Sequence, residues 1–120
     1  MVKALPALTR AEKIQKRAGK AGFDWKDAEA VIPKIKEEIG EVEEALSGNG
    51  NVEEEIGDLL FAVANLARKL SIDPEKALMS ANSKFVSRFE KMEKLYDGNE
   101  DFASLDMKVK DELWEKAKKM

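Results

Sequence analysis

Cysteine and histidine are both absent from this 120-residue chain. Their absence excludes disulfides, thiol nucleophiles, thiolate zinc sites, His–carboxylate iron sites and any Ser-His-Asp arrangement. A metal bound here must be bound through oxygen. No stretch approaches the roughly eighteen apolar residues of a membrane span. The N-terminal MVKALPALTRAEK also lacks an apolar core of signal-peptide length, so the expected address is cytoplasmic, with no membrane partner. A net charge of −3 gives no general attraction for a polyanion, and no nucleic-acid polymer is expected as a partner.

Apolar residues at 43% and charged residues at 38% suit helices with a buried stripe and a charged outer face. The length fits one domain, residues 1–120. Turn and capping chemistry divides the chain into about five helices, with no convincing strand. Thr9 to Glu12 spells a capping box for a first helix from about Arg10 to Lys20. Asp24 is the expected cap of a second helix reaching about Leu46, with Pro33 either kinking it or starting its main part. Gly48-Asn49-Gly50 turns the chain, and Asn51 with Glu54 opens a third helix to about Leu70. Asp73 and Pro74 start a fourth, to about Tyr96, and Ser104 or Asp106 caps a last helix containing Trp114.

Helices two and three carry a regular apolar rhythm: Ile32, Ile35, Ile39, Val42 and Leu46, then Val52, Ile56, Leu59, Val63, Leu66 and Leu70. Steps of three and four residues joined by a short connection predict a central antiparallel hairpin. The expected fold is therefore an all-α helical bundle. Phe61 points away from the stripe, so a second surface is needed to cover it. That surface is either the rest of a monomer or, as the favoured expectation, another subunit, the bundle oligomerising through apolar helix faces.

Glu38 and Glu41 on the second helix, and Glu55 and Asp58 on the third, are two i, i+3 acid pairs. Taking each stripe as zero, both pairs fall roughly 60° and 120° to the same side. The pairs stand at similar distances from the turn, so all four carboxylates converge on one flank. Such a cluster resists desolvation unless a hard cation balances it, and Mg²⁺ is the expected occupant, with Mn²⁺ a substitute. The bland alternative is a solvated acidic flank. On the fourth helix, whose expected buried residues are Leu78, Ala81, Phe85, Phe89 and Met92, Lys84 and Arg88 flank the stripe, and Lys34 lies one turn before Glu38. These cations suit phosphate oxygens. Trp114 and Lys118 pair at i, i+4: the tryptophan is either a packing anchor or a platform for a base. Phe23 and Trp25 read as core or rim aromatics, with a nucleobase pocket as the lesser alternative.

EEIGE (37–41) followed by EIGDLLFAVANLARKL, then IDPEKAL and ANSKFVSRF, with GFDW before and LWEKAK after, resembles the MazG-type nucleoside triphosphate pyrophosphohydrolases of the all-α NTP pyrophosphatase group. The likeness spans roughly residues 11 to 120. It implies Mg²⁺-dependent hydrolysis of an NTP or dNTP, non-canonical ones included, to the monophosphate and pyrophosphate, in a homodimer or homotetramer. By motif match Glu38, Glu41, Glu55 and Asp58 are metal ligands, and Lys34, Lys84, Arg88, Trp114 and Lys118 hold nucleotide. Glu37 and Glu54, beside Glu38, are candidates to orient or deprotonate water. Some family members carry two copies of the domain, whereas this chain has one and is most similar to the second. The rival readings are a non-catalytic, metal-stabilised helical interaction module, or a relative specialised for dUTP, dCTP or phosphoribosyl-ATP.

Overall fold

The computed structural model describes residues 5–120, so the first four residues of the leader reading lie outside the described residues. Among the described residues the structure is all-helical: α1 (Ala7–Lys20), α2 (Ala28–Leu46), α3 (Val52–Lys69), α4 (Pro74–Leu95) and α5 (Met107–Lys118), with a 3-10 turn at Phe102–Ser104. No helix is long and apolar enough to cross a membrane. Packing divides the chain into two compact units at the Ala77–Leu78 bond, inside α4.

In the first unit α2 and α3 form the expected hairpin, and α1 packs on α3. The Asn51 side chain caps α3 by accepting from the Glu54 amide at 3.1 Å. Asp73 caps α4, accepting from Glu75 at 2.9 Å and Lys76 at 3.2 Å. Helix α2 closes in a Schellman turn: Gly48 donates to Ala45 O at 3.0 Å and Asn49 to Glu44 O at 3.1 Å. Gly48 has φ 100, a conformation glycine adopts without steric cost. Helix α3 ends the same way, with Ser71 and Ile72 donating to Arg68 O and Ala67 O, and here Ser71 itself sits at φ 60.

Three boundary expectations are corrected. Helix α1 begins at Ala7 behind Pro6, so Thr9 lies inside the helix and its hydroxyl donates to Glu75 Oε1 at 3.4 Å. Asp24 does not cap α2. Asp27 does, accepting from Ala30 at 2.9 Å, because Asp24 is engaged by Arg68 and Lys69. Helix α2 then runs through Pro33 rather than starting there.

The buried face of the hairpin is also turned by one residue from the expected stripe. Val31, Glu38 and Ala45 are buried, seven apart, while Ile32, Ile39 and Leu46 are exposed. On α3 the buried positions are Ala62, Ala64 and Asn65, and Val63 is exposed. Small residues let the helices approach, and the bulky aliphatics are left on the outside, together with Leu60 and Phe61. In the second unit Met92, Leu113 and Ala117 form the core, with Leu95, Tyr96, Phe102, Leu105 and Trp114 packed against it. Leu78, Ala81, Phe85 and Phe89, expected to be buried, are exposed; of that stripe only Met92 is enclosed.

Candidate metal centre and adjoining cavity

The one-residue turn of α2 places Glu38 in the seam rather than beside it, and Glu38 is 7% exposed. A buried carboxylate needs compensation, and Lys34 Nζ, one turn earlier, supplies part of it at 2.9 Å. The same ammonium reaches Glu37 at 3.5 Å. Hydrogen bonding to Glu38 raises the Lys34 pKa, against the opposing effect of burial. Lys34 therefore stays charged.

From α3, Glu55 and Asp58 face the same point. One carboxylate oxygen each from Glu38, Glu55 and Asp58 lies within 4.8 Å of the others. Glu41 is not in that trio, although its charge is felt at Glu55. Burial pushes the Glu55 carboxyl above its usual range, and Asp58, Glu41, Glu38 and Glu54 push it further in the same direction. Three acids thus converge on one point while the Lys34 ammonium pairs with Glu38 among them, leaving negative charge uncompensated.

That donor set fits a hard divalent cation. An octahedral Mg²⁺ binds oxygens at about 2.0–2.1 Å, so opposite ligands stand about 4.2 Å apart. The present spacing, within 4.8 Å, is of the same order. Of the residues expected at the site, Glu37, Glu41 and Glu54 are exposed, and Glu54 stands in the first turn of α3.

Glu38, Asp58 and Lys34 also line a cavity of about 500 Å³ within the first unit. Its walls are largely apolar, including Val31, Phe61 and Ala62, and Trp25 and Phe23 lie along it. Phe23 is 76% exposed, which rules out a core role. Two polar residues on the wall, Gln15 from α1 and Asn65 from α3, escape a reading of sequence. The available signal was a polar side chain set among Ala11, Ile14 and Ala18 on the inner face of α1.

The wall is braced by a clasp. Arg68 pairs with Asp24 at 2.6 Å and donates through Nε to Asn65 Oδ1 at 2.9 Å. Lys69 reaches Asp24 at 3.3 Å and the Trp25 carbonyl at 2.7 Å. The Arg68 hydrogen bond, with smaller contributions from the Trp25 amide and Lys69, holds the Asp24 carboxyl down to about 2.

Lys84, Arg88, Trp114 and Lys118 all belong to the second unit. Lys84 is exposed. Arg88 lies over the Trp114 ring at 5.8 Å, Phe85 packs on that ring at 5.3 Å, and Lys118 meets Glu115 at 3.8 Å. Trp114 thus packs within its own unit.

Residues 26–93 match the family model described as the MazG nucleotide pyrophosphohydrolase domain. The chain belongs to the MazG family. It is 50% identical over 115 residues to a Thermotoga maritima protein named nucleoside triphosphate pyrophosphohydrolase/pyrophosphatase MazG, covering 95% of this chain and 45% of that one. It is 42% identical over 122 residues to an Escherichia coli nucleoside triphosphate pyrophosphohydrolase, covering 98% of this chain and 46% of the other. The Bacillus subtilis protein YabN, named as uncharacterized, is 40% identical over 69 residues, or 57% of this chain and 14% of YabN. This MazG-family chain thus spans less than half the length of the first two relatives. The matched segment contains both acid pairs, Lys34, Lys84 and Arg88, and ends before Trp114 and Lys118.

Proposed function

We propose that this chain is a single Mg²⁺-dependent catalytic domain that hydrolyses a nucleoside triphosphate to the monophosphate and pyrophosphate. The observation that carries the reading is the convergence of Glu38, Glu55 and Asp58 within 4.8 Å beside a largely apolar cavity. The names of the Thermotoga maritima and Escherichia coli relatives support it. A metal-stabilised module without catalysis would need no such cavity at its ion.

Glu38, Glu55 and Asp58 hold the ion, with Glu41 completing the set; Mn²⁺ substitutes for Mg²⁺. Bound there, the ion supplies Lewis-acid polarisation of the phosphoryl oxygens and a lowered pKa for its water. Lys34 leans between Glu37 and Glu38 and would meet a phosphate oxygen there. Water oxygen forms a bond to the α-phosphorus while the bond from that phosphorus to the bridging oxygen breaks. The water proton passes to Glu37 or Glu54, and pyrophosphate leaves. The base enters the cavity beside Trp25, where apolar walls exclude water. Lys84 and Arg88 within the matched segment, and Trp114 and Lys118 beyond it, are assigned to nucleotide on the resemblance of their motifs alone. The exposed Leu60, Phe61 and Val63 carry the expectation of a homodimer or homotetramer. A nucleotide substrate places the work in the cytoplasm.

The test is pyrophosphate release from a panel of canonical and altered NTPs and dNTPs, dUTP, dCTP and phosphoribosyl-ATP included. Release with Mg²⁺, lost in Glu38→Gln with the fold intact, is the expected result. No release from any of them, or equal release by the variant, defeats the proposal.

A further inference from the structure

Gln15 is 5% exposed, lines the cavity, and its Oε1 has no hydrogen-bond partner. The other end of its amide is engaged: Nε2 donates to the Phe61 carbonyl at 2.9 Å. A carbonyl only accepts, so this bond fixes which way the amide points. Oε1 is therefore held as an acceptor and cannot present a donor by flipping.

Asn65 is 3% exposed and fixed with the opposite sense. Its Oδ1 accepts from Arg68 Nε at 2.9 Å, and a guanidinium only donates, which leaves the Asn65 amide N–H₂ as the other end. Arg68 is in turn held by Asp24 at 2.6 Å. Two residues of the largely apolar cavity lining thus carry a locked acceptor, on α1, and a locked donor, on α3. A purely apolar ligand would leave the Gln15 oxygen unmet, and a buried acceptor without a partner is costly. Nucleobases meet both demands: their hydrogen-bonding edges set N–H beside a ring nitrogen or a carbonyl, and their faces suit aromatic walls.

We propose that Gln15 is a specificity-determining residue whose Oε1 accepts a hydrogen bond from an N–H on the edge of the substrate base, with the Asn65 amide donating to the neighbouring acceptor. The inference rests on the reading of the cavity as the base site. It restricts the substrate class to triphosphates whose base retains an N–H on that edge. Bases stripped of the N–H, or alkylated at it, are rejected because they strand the Gln15 oxygen.

The experiment compares kcat/KM for ATP, ITP and CTP with that for the triphosphates of purine riboside and 2-pyrimidinone riboside, whose bases carry no N–H. Wild-type protein is expected to favour the parent nucleotide by about tenfold or more in whichever series it turns over. In Gln15→Met that ratio falls to within about twofold, whereas loosened packing alone would lower turnover of parent and stripped nucleotides together. If the variant does not fold, the wild-type ratio decides. Equal turnover of parent and stripped nucleotides by wild type, or an undiminished ratio in a folded Gln15→Met, overturns the base-reading role and leaves pyrophosphate hydrolysis standing. Absence of hydrolysis with every triphosphate overturns the functional reading and this inference together.

Discussion

Two carboxylate environments in the first unit stand in opposite electrostatic states. At the acidic mouth Glu55 is crowded by four acids, Asp58, Glu41, Glu38 and Glu54, and burial and their charge push its carboxyl up. At the clasp Asp24 has an arginine and a lysine to itself, and its carboxyl is pulled down to about 2. The clasp's carboxylate is fully compensated within the chain, by two cations to one acid. The mouth is incomplete, and its missing partner is a cation. Abundance of acid does not distinguish a site from a structural tie; the balance of charge around it does.

The comparison breaks most visibly if the mouth tolerates neutralisation. Glu38→Gln and Asp58→Asn are each expected to lower kcat for pyrophosphate release by at least about a hundredfold, with the helical circular dichroism spectrum retained. Preserved turnover in either would reduce the mouth to a solvated flank.

Metal should act on stability in the same place. Saturating Mg²⁺ is expected to raise the thermal midpoint by several degrees, and chelation to reverse it, because the ion binds only the folded arrangement. Glu55→Gln should melt higher than wild type without metal, since it removes a repelled charge, and gain less from Mg²⁺. A wild-type melt indifferent to Mg²⁺ would contradict this.

The two carboxyls also give opposite pH signatures. Asp24 is lowered from 3.8 to about 2, so its stabilisation is present above pH 3.8 and is lost as pH falls from there toward 2. Glu55 is raised from 4.5, so its ionised form is penalised in the fold: the penalty is absent below pH 4.5 and complete above the raised value. Asp24→Asn should lower the neutral-pH melting point by a few degrees and flatten the acid limb below pH 4, whereas Glu55→Gln should flatten the pH dependence just above 4.5. Acid limbs identical to wild type would remove the contrast.

The smallest effect expected is at Gly19. A Cβ there would stand 2.9 Å from Asp24 Oδ2, so Gly19→Ala gains helix propensity while displacing the clasped carboxylate. Its melting point should change by no more than a few degrees, but its acid limb should move toward that of Asp24→Asn. An unchanged limb would mean that the clasp yields without weakening.

Much of this was legible in the sequence, and the rest shows why local rules stop where they do. The hairpin, the Asn51 and Asp73 caps and the spacing of the acid pairs all follow from contacts a few residues apart. Asp24 misled because it and Asp27 are equally good caps; the choice between them is made by Arg68, forty-four residues away. The stripe of Ile32, Ile39 and Leu46 misled because bulky aliphatics dominate a helical wheel, whereas close approach selects Val31, Ala45 and Ala62. The same turn buries Glu38, so a carboxylate read as flanking the seam lies in it. Gln15 left no clear signal, since its partner Phe61 is forty-six residues distant and joined through a backbone carbonyl.

The most direct measurement is anomalous scattering from crystals grown with Mn²⁺. An anomalous peak coordinated by oxygens of Glu38, Glu55 and Asp58, at about 2.2 Å, is the result this account requires. A peak held by other residues, or none at saturating Mn²⁺ in protein that releases pyrophosphate, would contradict it.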